Sequence, residues 1–269
     1  MFAVGVKVQV SELPAVYGRQ LYEVVVGAAP ARTYRSASPV PPGPGDAAIS
    51  LRGVEVVADG RTLLSDVTLD LPSQRIAVIG ANGSGKSTFA RLLNGTRRPS
   101  SGSVRVLGLD ATRDARALRG RVGFVFTDPA AQLLMPTPIE DVALSLRHLP
   151  RAERTTRSAE VLAEHGLEAH ADSPVTTLSG GQRQLLAIAS VLATSPELVV
   201  ADEPTTLLDL RNARRIAELL LGLEARVVIV THDLELAARC DEAVLFEGGR
   251  LAHQGEAADV VDHYRRMHA

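Results

Sequence analysis

The feature that most constrains this chain is a glycine-rich loop at residues 80–88, which reads Gly-Ala-Asn-Gly-Ser-Gly-Lys-Ser-Thr. It follows a short apolar run, Ile76–Ile79, and precedes a stretch typical of a helix, Ser87–Asn94, which ends at Gly95. The spacing is G-x-x-x-x-G-K-[ST], and a strand before it with a helix after it is the context in which this spacing binds phosphate. The segment therefore predicts a P-loop NTPase with an α/β fold.

Each residue type in this loop has a chemical reason to be there. Glycines let the backbone curl so that several N–H groups point at one anion, and a helix starting near Lys86 adds the positive end of its dipole. Lys86 brings a positive charge to the outer phosphates of a nucleotide, and the Ser87 hydroxyl suits Mg²⁺. Nine residues are therefore predicted to bind the nucleotide: Gly80, Ala81, Asn82, Gly83, Ser84, Gly85, Lys86, Ser87 and Thr88.

A second stretch supplies the acidic groups that such an enzyme needs. The apolar run Leu198–Ala201 ends in Asp202 and Glu203. A P-loop enzyme holds Mg²⁺ with an acidic residue at a strand end, and Asp202 has that place. Glu203, one residue further on, is predicted to polarise the water that attacks the terminal phosphate. The alternative is an ordinary strand end with two solvated acids.

Composition limits the class of protein. The formal net charge of −2 argues against a protein that binds nucleic acid mainly through backbone phosphates, so no nucleic-acid partner is expected. The single cysteine, Cys240, excludes a disulfide framework, which fits a cytoplasmic protein, and it is expected to be buried. No apolar run approaches the roughly 18–20 residues of a membrane-spanning helix, and no signal-peptide pattern is found.

The chain divides into a leader and one organised domain. Residues 1–46 combine alternating valines with a linker rich in Ala, Pro and Gly, and they carry no motif. They are predicted to be an accessory strand pair, a disordered tail, or the product of a start codon placed too early. The organised domain is predicted to cover residues 47–269.

Strand and helix patterns alternate through this domain. Residues 49–71 read as two strands joined by a turn at Asp59-Gly60, and residues 244–254 as a hairpin that turns at Gly248-Gly249. The other predicted strands are Val104–Leu107, Val122–Phe126, Leu198–Ala201 and Val227–Val230. The predicted helices are Pro136–Leu149, Arg151–Gly166, Gln182–Thr194, Leu210–Leu223 and Asp233–Cys240. This order predicts an α/β fold with a mostly parallel sheet.

A second glycine-rich loop identifies the family. Residues 178–182 read Leu-Ser-Gly-Gly-Gln and lead into a helix, so they predict a second anion-binding helix end, without a lysine. This pentapeptide is the signature of ABC-type ATPases. The chain resembles that family over residues 47–269, since the P-loop, the signature, the acidic strand end and Thr231-His232-Asp233 follow in the family's order. The resemblance implies an ABC ATPase cassette with an antiparallel β subdomain and a helical subdomain at about residues 128–178.

The resemblance also implies how the site works. ATP and Mg²⁺ are the expected ligands, and this chain is expected to stack head to tail with a second ATPase subunit, in a homodimer or a heterodimer. Each ATP then lies between the P-loop of one copy and four signature residues of the other: Ser179, Gly180, Gly181 and Gln182. In the family, the histidine at the position of His232 contacts the γ-phosphate. Asp209 matches a residue in the loop that crosses the family's dimer interface. No role is predicted for the other six histidines.

Two positions depart from the family pattern. Thr127 stands where the family usually has a glutamine that contacts Mg²⁺ or its water, and its hydroxyl is the predicted substitute. The adenine ring is usually stacked on an aromatic side chain near residue 58, but Val56, Val57 and Ala58 offer no ring.

Residues 127–143 indicate the branch of the family. They resemble the ATPases of energy-coupling-factor transporters, and Thr127 followed by Asp128-Pro129 is similar to biotin-uptake ATPases. The resemblance implies that this chain binds transmembrane subunits from the cytoplasmic face of the membrane. It also implies an imported vitamin or metal ion, with biotin first and cobalt or nickel next. Residues 128–149 are predicted to dock the membrane partner. The competing interpretation of Leu133–Pro136 is the buried start of a helix.

Two other functions are weighed against the importer. A soluble ABC ATPase of DNA repair or of ribosomes usually has a coiled-coil insertion or two cassettes, whereas this chain has one cassette and no heptad run. A regulator that binds ATP without hydrolysing it would not need Lys86, Asp202, Glu203 and His232 together.

Overall fold

A computed structural model describes residues 48–268 of the chain. The predicted leader, residues 1–46, lies outside the described residues, as do Ala47 and Ala269. Along the described part the strands are β1 (Ile49–Ala58), β2 (Arg61–Leu71), β3 (Arg75–Ile79), β4 (Ser101–Val106), β5 (Leu109–Asp110), β6 (Val122–Val125), β7 (Leu198–Asp202), β8 (Arg226–Val230), β9 (Glu242–Glu247) and β10 (Arg250–Glu256). The α-helices are α1 (Lys86–Leu93), α2 (Ala115–Arg119), α3 (Pro138–Ser145), α4 (Arg151–Glu164), α5 (Gly180–Leu192), α6 (Leu210–Leu221), α7 (Leu234–Ala237) and α8 (Ala257–Met267).

The strands form two sheets. The smaller is antiparallel, in the order β2-β1-β4-β5, and its first hairpin turns at Asp59-Gly60. Both turn residues have a positive φ, 50° and 72°, which is the geometry of a tight hairpin turn. The predicted turn is therefore confirmed.

The larger sheet has the order β10-β9-β3-β8-β7-β6 and is parallel except for the edge strand β10. All five residues of β7 are buried, as expected for a strand that is covered on both faces. Since β3, β6, β7 and β8 run in the same direction, the loops that follow them meet at one edge. Ligands of open parallel sheets bind at that edge.

Each face of the parallel sheet has its own apolar core. On β3, Ala77 and Ile79 belong to one core, while Ile76 and Val78 belong to the other. The first core packs helices α3 to α8 against the sheet. The second contains helix α1 and the antiparallel sheet. The α/β cassette fold predicted from the sequence, with its antiparallel β subdomain, is therefore confirmed.

The bounds of several elements differ from the prediction. Helix α3 covers only Pro138–Ser145 of the predicted Pro136–Leu149, because Thr137 is extended and Pro138 occupies the first turn. Helix α7 is limited to Leu234–Ala237. Helix α5 starts two residues earlier than predicted, because Ser179 caps it. Strand β5 and helices α2 and α8 were not predicted.

Candidate nucleotide-binding site

The glycine-rich loop forms a cradle between β3 and α1. Gly80, Gly83 and Gly85 all have a positive φ, between 78° and 138°. A Cβ atom on Gly80 would overlap the Phe246 carbonyl oxygen, and one on Gly85 would lie 2.6 Å from Leu64 Cδ2. Helix α1 begins at Lys86, and among the described residues no side chain caps its N-terminus. The first N–H groups of α1 therefore fit an anion.

Lys86 and Ser84 lie inside this cradle. The Lys86 ammonium donates to the carbonyl oxygens of Gly80, at 2.7 Å, and Ala81, at 3.0 Å. Burial lowers the pKa of Lys86, and the charges of Glu203 and Asp202 oppose that shift. The buried Ser84 Oγ has no hydrogen-bond partner within residues 48–268. A polar, positively charged cradle with an unpaired hydroxyl fits the phosphates of a nucleotide.

The predicted metal residues converge beside the cradle. Ser87 Oγ donates to Asp202 Oδ1 at 3.1 Å, which joins the first turn of α1 to the end of β7. Burial raises the pKa of Asp202, and the Ser87 hydroxyl opposes the shift. Thr127 Oγ1 donates to the backbone oxygen of Asp202 at 2.8 Å. Thr127 thus lies next to Asp202 but contacts its main chain.

This donor set fits Mg²⁺ bound together with a nucleotide. Within residues 48–268, no group of three or more His, Cys, Asp or Glu side chains is arranged to hold a metal ion. Mg²⁺ commonly takes one or two carboxylates and completes its shell with phosphate oxygens and water. Asp202 and the Ser87 hydroxyl correspond to that pattern.

Glu203 is turned away from Asp202 by the backbone. Its φ of 52° is in the left-handed region, which is uncommon for a residue with a side chain. Glu203 Oε2 lies 2.8 Å from His232 Nδ1 and accepts a hydrogen bond from Thr206 Oγ1 at 2.9 Å. His232 follows β8, the strand next to β7, and more than half of its side chain is exposed. The structure therefore brings Lys86, Asp202, Glu203 and His232 to one edge of the sheet.

The signature loop caps a different helix. Ser179 Oγ accepts from Gln182 N at 3.2 Å, and Ser179 N donates to Gln182 Oε1 at 2.8 Å, which together form a capping box. A Cβ atom on Gly181 would lie 2.5 Å from Asn212 Cγ, whereas one on Gly180 meets no described atom within 4 Å. Ser179 and Gly180 are exposed. The start of α5 is thus rigid and open to a ligand.

Asp209 lies close to this loop through Asn212. Asp209 caps α6 by accepting from Asn212 N at 2.9 Å and from Asn212 Nδ2 at 2.7 Å. The same Asn212 side chain packs against Gly181. Sequence reasoning missed Asn212 because a single asparagine in a helix carries no motif. It also missed His170, whose Nε2 lies 2.8 Å from Gln182 Nε2.

Comparison with known proteins gives the family. Residues 64–206 match the family described as "ABC transporter". The chain belongs to the ABC transporter family. Members of this family bind and hydrolyse ATP, so this cassette is an ATPase. The predicted family resemblance is confirmed.

Three proteins of this family are similar to the chain over most of its length. An ABC transporter ATP-binding protein of Deinococcus radiodurans is 46% identical, over 81% of this chain and 97% of its own length. The biotin transport ATP-binding protein BioM of Rhizobium etli is 42% identical, over 82% of this chain and 99% of its own. The solved structure of CbiO1 from Clostridium perfringens, described as part of the ABC transporter complex CbiONQ, is 30% identical, with a TM-score of 0.72 over 83% of this chain and 94% of its own.

In the part of the cassette that the structure describes, no helix is both long enough and apolar enough to cross a membrane.

Proposed function

We propose that this ABC cassette hydrolyses MgATP as one half of a head-to-tail dimer and thereby powers a membrane importer. The observation that carries the proposal is the convergence of Lys86, Ser87, Asp202, Glu203 and His232 at the carboxyl edge of the parallel sheet. A cation, a metal-binding pair and a carboxylate paired with a histidine are the groups that phosphoryl transfer to water requires.

Each group has a role in the proposed reaction. Ser87 and Asp202 would hold Mg²⁺, which neutralises charge on the phosphates when it is bound. Lys86 and the N-terminus of α1 bind the outer phosphates. Glu203 accepts a proton from the attacking water, and His232 holds the Glu203 carboxylate through the 2.8 Å contact at Nδ1. Thr127, in the loop that follows the neighbouring strand β6, supports the backbone of Asp202 through its hydrogen bond.

Exposed groups support the dimer. The signature residues Ser179 and Gly180 are open to solvent, and Leu207 and Leu210, which flank Asp209, are 67% and 68% exposed. Burial of these apolar side chains on association would be favourable. A second copy would cover them and place its ATP against the signature loop.

The segment from residue 128 to 149 is the proposed docking surface for the transmembrane subunits. The backbone N–H groups of Leu134 and Met135 both donate to Asp141 Oδ1, at 2.9 and 3.2 Å, while their side chains are half-buried. Asp141 is itself buried and accepts from Ser190 Oγ in α5. A loop with a fixed backbone and accessible apolar side chains suits a helix of a partner better than it suits a core. The cassette would then lie at the cytoplasmic face of the membrane.

Biotin is the proposed substrate of the importer, since the similar protein of Rhizobium etli is named for biotin transport. Uptake of labelled biotin, cobalt and nickel should be measured in cells that lack the gene, with the wild-type gene or Glu203→Gln restored. We expect only biotin uptake to be lost, and only the wild-type gene to restore it. Unchanged biotin uptake with a loss of cobalt or nickel uptake would reassign the substrate to the metal. If all three stay unchanged, the importer proposal is wrong for these substrates.

A further inference from the structure

The contact between Gln182 and His170 fixes the state of both side chains. Gln182 Oε1 faces the backbone N–H of Ser179, which can only donate, so the amide NH₂ of Gln182 must face His170. Gln182 Nε2 lies 2.8 Å from His170 Nε2. The geometry therefore assigns His170 Nε2 as the acceptor of this hydrogen bond.

The segment that carries His170 is also joined to the proposed docking surface. His170 ends a 3₁₀ turn, Glu168–His170, and the carbonyl oxygen of the next residue, Ala171, accepts from Ile139 N at 3.0 Å. Four residues further on, Val175 N donates to the carbonyl oxygen of Pro136 at 2.8 Å. Residues 168–175 therefore lie between the start of α3 and the start of α5, with hydrogen bonds to both.

We propose that His170 is a positioning residue for the signature loop, acting as a hydrogen-bond acceptor that fixes Gln182 and hence the capping box of Ser179. Without an acceptor at this place, the Gln182 amide is free to turn, and the Ser179 N–H then loses its partner. The signature loop would meet the ATP of a second copy in several orientations rather than one. The same contact joins this loop to the docking surface, through the backbone hydrogen bonds of residues 168–175. The inference rests on the head-to-tail dimer proposed above.

The nearest comparable histidine has a different environment. His165 is the C-terminal cap residue of α4, and its Nδ1 contacts the carbonyl oxygen of Val161 in the same helix at 2.9 Å. It has the same residue type and lies only five positions away, but its contact is local. His165 is therefore the matched control.

The test uses full-length protein carrying Glu203→Gln, in which ATP-driven dimers should persist. Three substitutions at residue 170 vary the hydrogen-bonding capacity: His170→Gln keeps an acceptor, His170→Leu has none, and His170→Lys can only donate. Dimerisation with ATP is measured by analytical ultracentrifugation, and ATP binding to the monomer by titration calorimetry. ATP affinity of the monomer should not change, since the P-loop of the same chain binds it.

We expect dimerisation of His170→Gln to stay within about twofold of the parent. The net contribution of one hydrogen bond changes an equilibrium constant by about two- to twelvefold. Because a dimer contains two signature loops, the dimerisation constant of His170→Leu should be lower by about tenfold or more. His170→Lys should be at least as weak, and His165→Leu should match the parent. Thermal unfolding checks that all variants are folded.

Two results would overturn the role of His170. If Leu and Lys at position 170 dimerise as strongly as histidine, the contact positions nothing. If His170→Gln is as weak as His170→Leu, the ring acts by packing and not as an acceptor. If His170→Leu fails to fold, the comparison of dimerisation between His170→Gln and His170→Lys is the test of the role of His170. Absence of ATP-driven dimers in Glu203→Gln itself would instead overturn the dimer mechanism, and the role of His170 with it.

Discussion

At the scale of single residues, the left-handed backbone conformation of Glu203 gives the adjacent carboxylates of Asp202 and Glu203 different partners. Asp202 is 5% exposed at the end of β7 and accepts from Ser87, while Glu203 takes a left-handed conformation and faces His232. A non-glycine residue in that region costs roughly 1–3 kcal/mol, and such strain tends to occur at functional sites. Neighbours in sequence thus receive different partners, one suited to a metal ion and the other to a water molecule.

The first residue-scale prediction concerns Glu203. Glu203→Gln keeps the shape of the side chain but cannot accept a proton from water, so ATP hydrolysis should fall by roughly 10²–10⁴-fold. ATP binding should persist, because the P-loop groups are unchanged. Turnover is measured by phosphate release. The control is Glu235→Gln, which removes only an exposed ion pair with Arg265 and should keep full turnover. A loss of less than about tenfold for Glu203→Gln would contradict its role as the base.

A second prediction concerns the adenine ring. Val57 lies near the end of β1 with 42% of its surface exposed, close to the position where the family usually has an aromatic side chain. In Val57→Tyr a ring is available for stacking, which is worth about 0.5–1.5 kcal/mol, or about two- to twelvefold in affinity. Titration calorimetry should show tighter ATP binding for Val57→Tyr and little change for Val57→Ala. Equal affinity in all three proteins would mean that the base lies against another part of the surface.

At the scale of elements, helix α5 connects the signature loop with the segment that follows β6. Gln182 contacts His170, the Ala187 carbonyl oxygen accepts from Gln132 Nε2, and Ser190 donates to Asp141. Gln132 also accepts from the backbone N–H of Phe126, one residue before Thr127. These contacts are spread along α5 from its first turn to its last. Displacement of the segment 126–141 would therefore act on the middle and the last turn of α5, while the first turn contacts His170.

The docking surface gives the element-scale prediction. Leu134→Glu and Met135→Glu should leave the cassette folded and able to hydrolyse ATP, because both residues are partly exposed and Asp141 contacts only their backbone N–H groups. They should abolish co-purification with the transmembrane subunits and stop uptake. Met267→Glu, at an exposed position near the end of α8, is the control and should keep both. Unfolding of the isolated Glu variants would instead assign these side chains to the core.

Local signals explain which elements could be predicted. The P-loop and the Asp59-Gly60 hairpin depend on residues within a few positions of each other, and both lie as predicted. Contacts between distant segments gave no signal: Thr127 reaches the main chain of Asp202, and Asn212 packs on Gly181. Helix α8 was not predicted, although Val260 and Val261 are buried on one side of it. Geometry between loops, which decides the chemistry, depends on the folded sheet.

At the scale of the whole molecule, the two apolar cores hold different elements in place. One joins the antiparallel sheet and α1 to the parallel sheet and so fixes the P-loop, while the other carries helices α3 to α8 and the signature loop. The parallel sheet between them holds Asp202, Glu203 and the residues after β8. In the proposed dimer, the half with the P-loop would bind the cassette's own ATP, and the half with the signature loop would contact the ATP of the second cassette.

The last prediction concerns residues 1–46. Every predicted site residue lies within residues 48–268, and the relative from Rhizobium etli is matched over 99% of its length by 82% of this chain. A truncated protein that begins at Ala47 should therefore bind ATP with unchanged affinity and hydrolyse it within about twofold of the full chain, since the groups that carry phosphoryl transfer are all retained. Its thermal midpoint should stay close to that of the full chain, because all the described residues of both cores are retained. The comparison is made on purified proteins, with Glu203→Gln of the same length as the inactive control. Loss of folding or of ATP binding on truncation would show that the leader is part of the cassette.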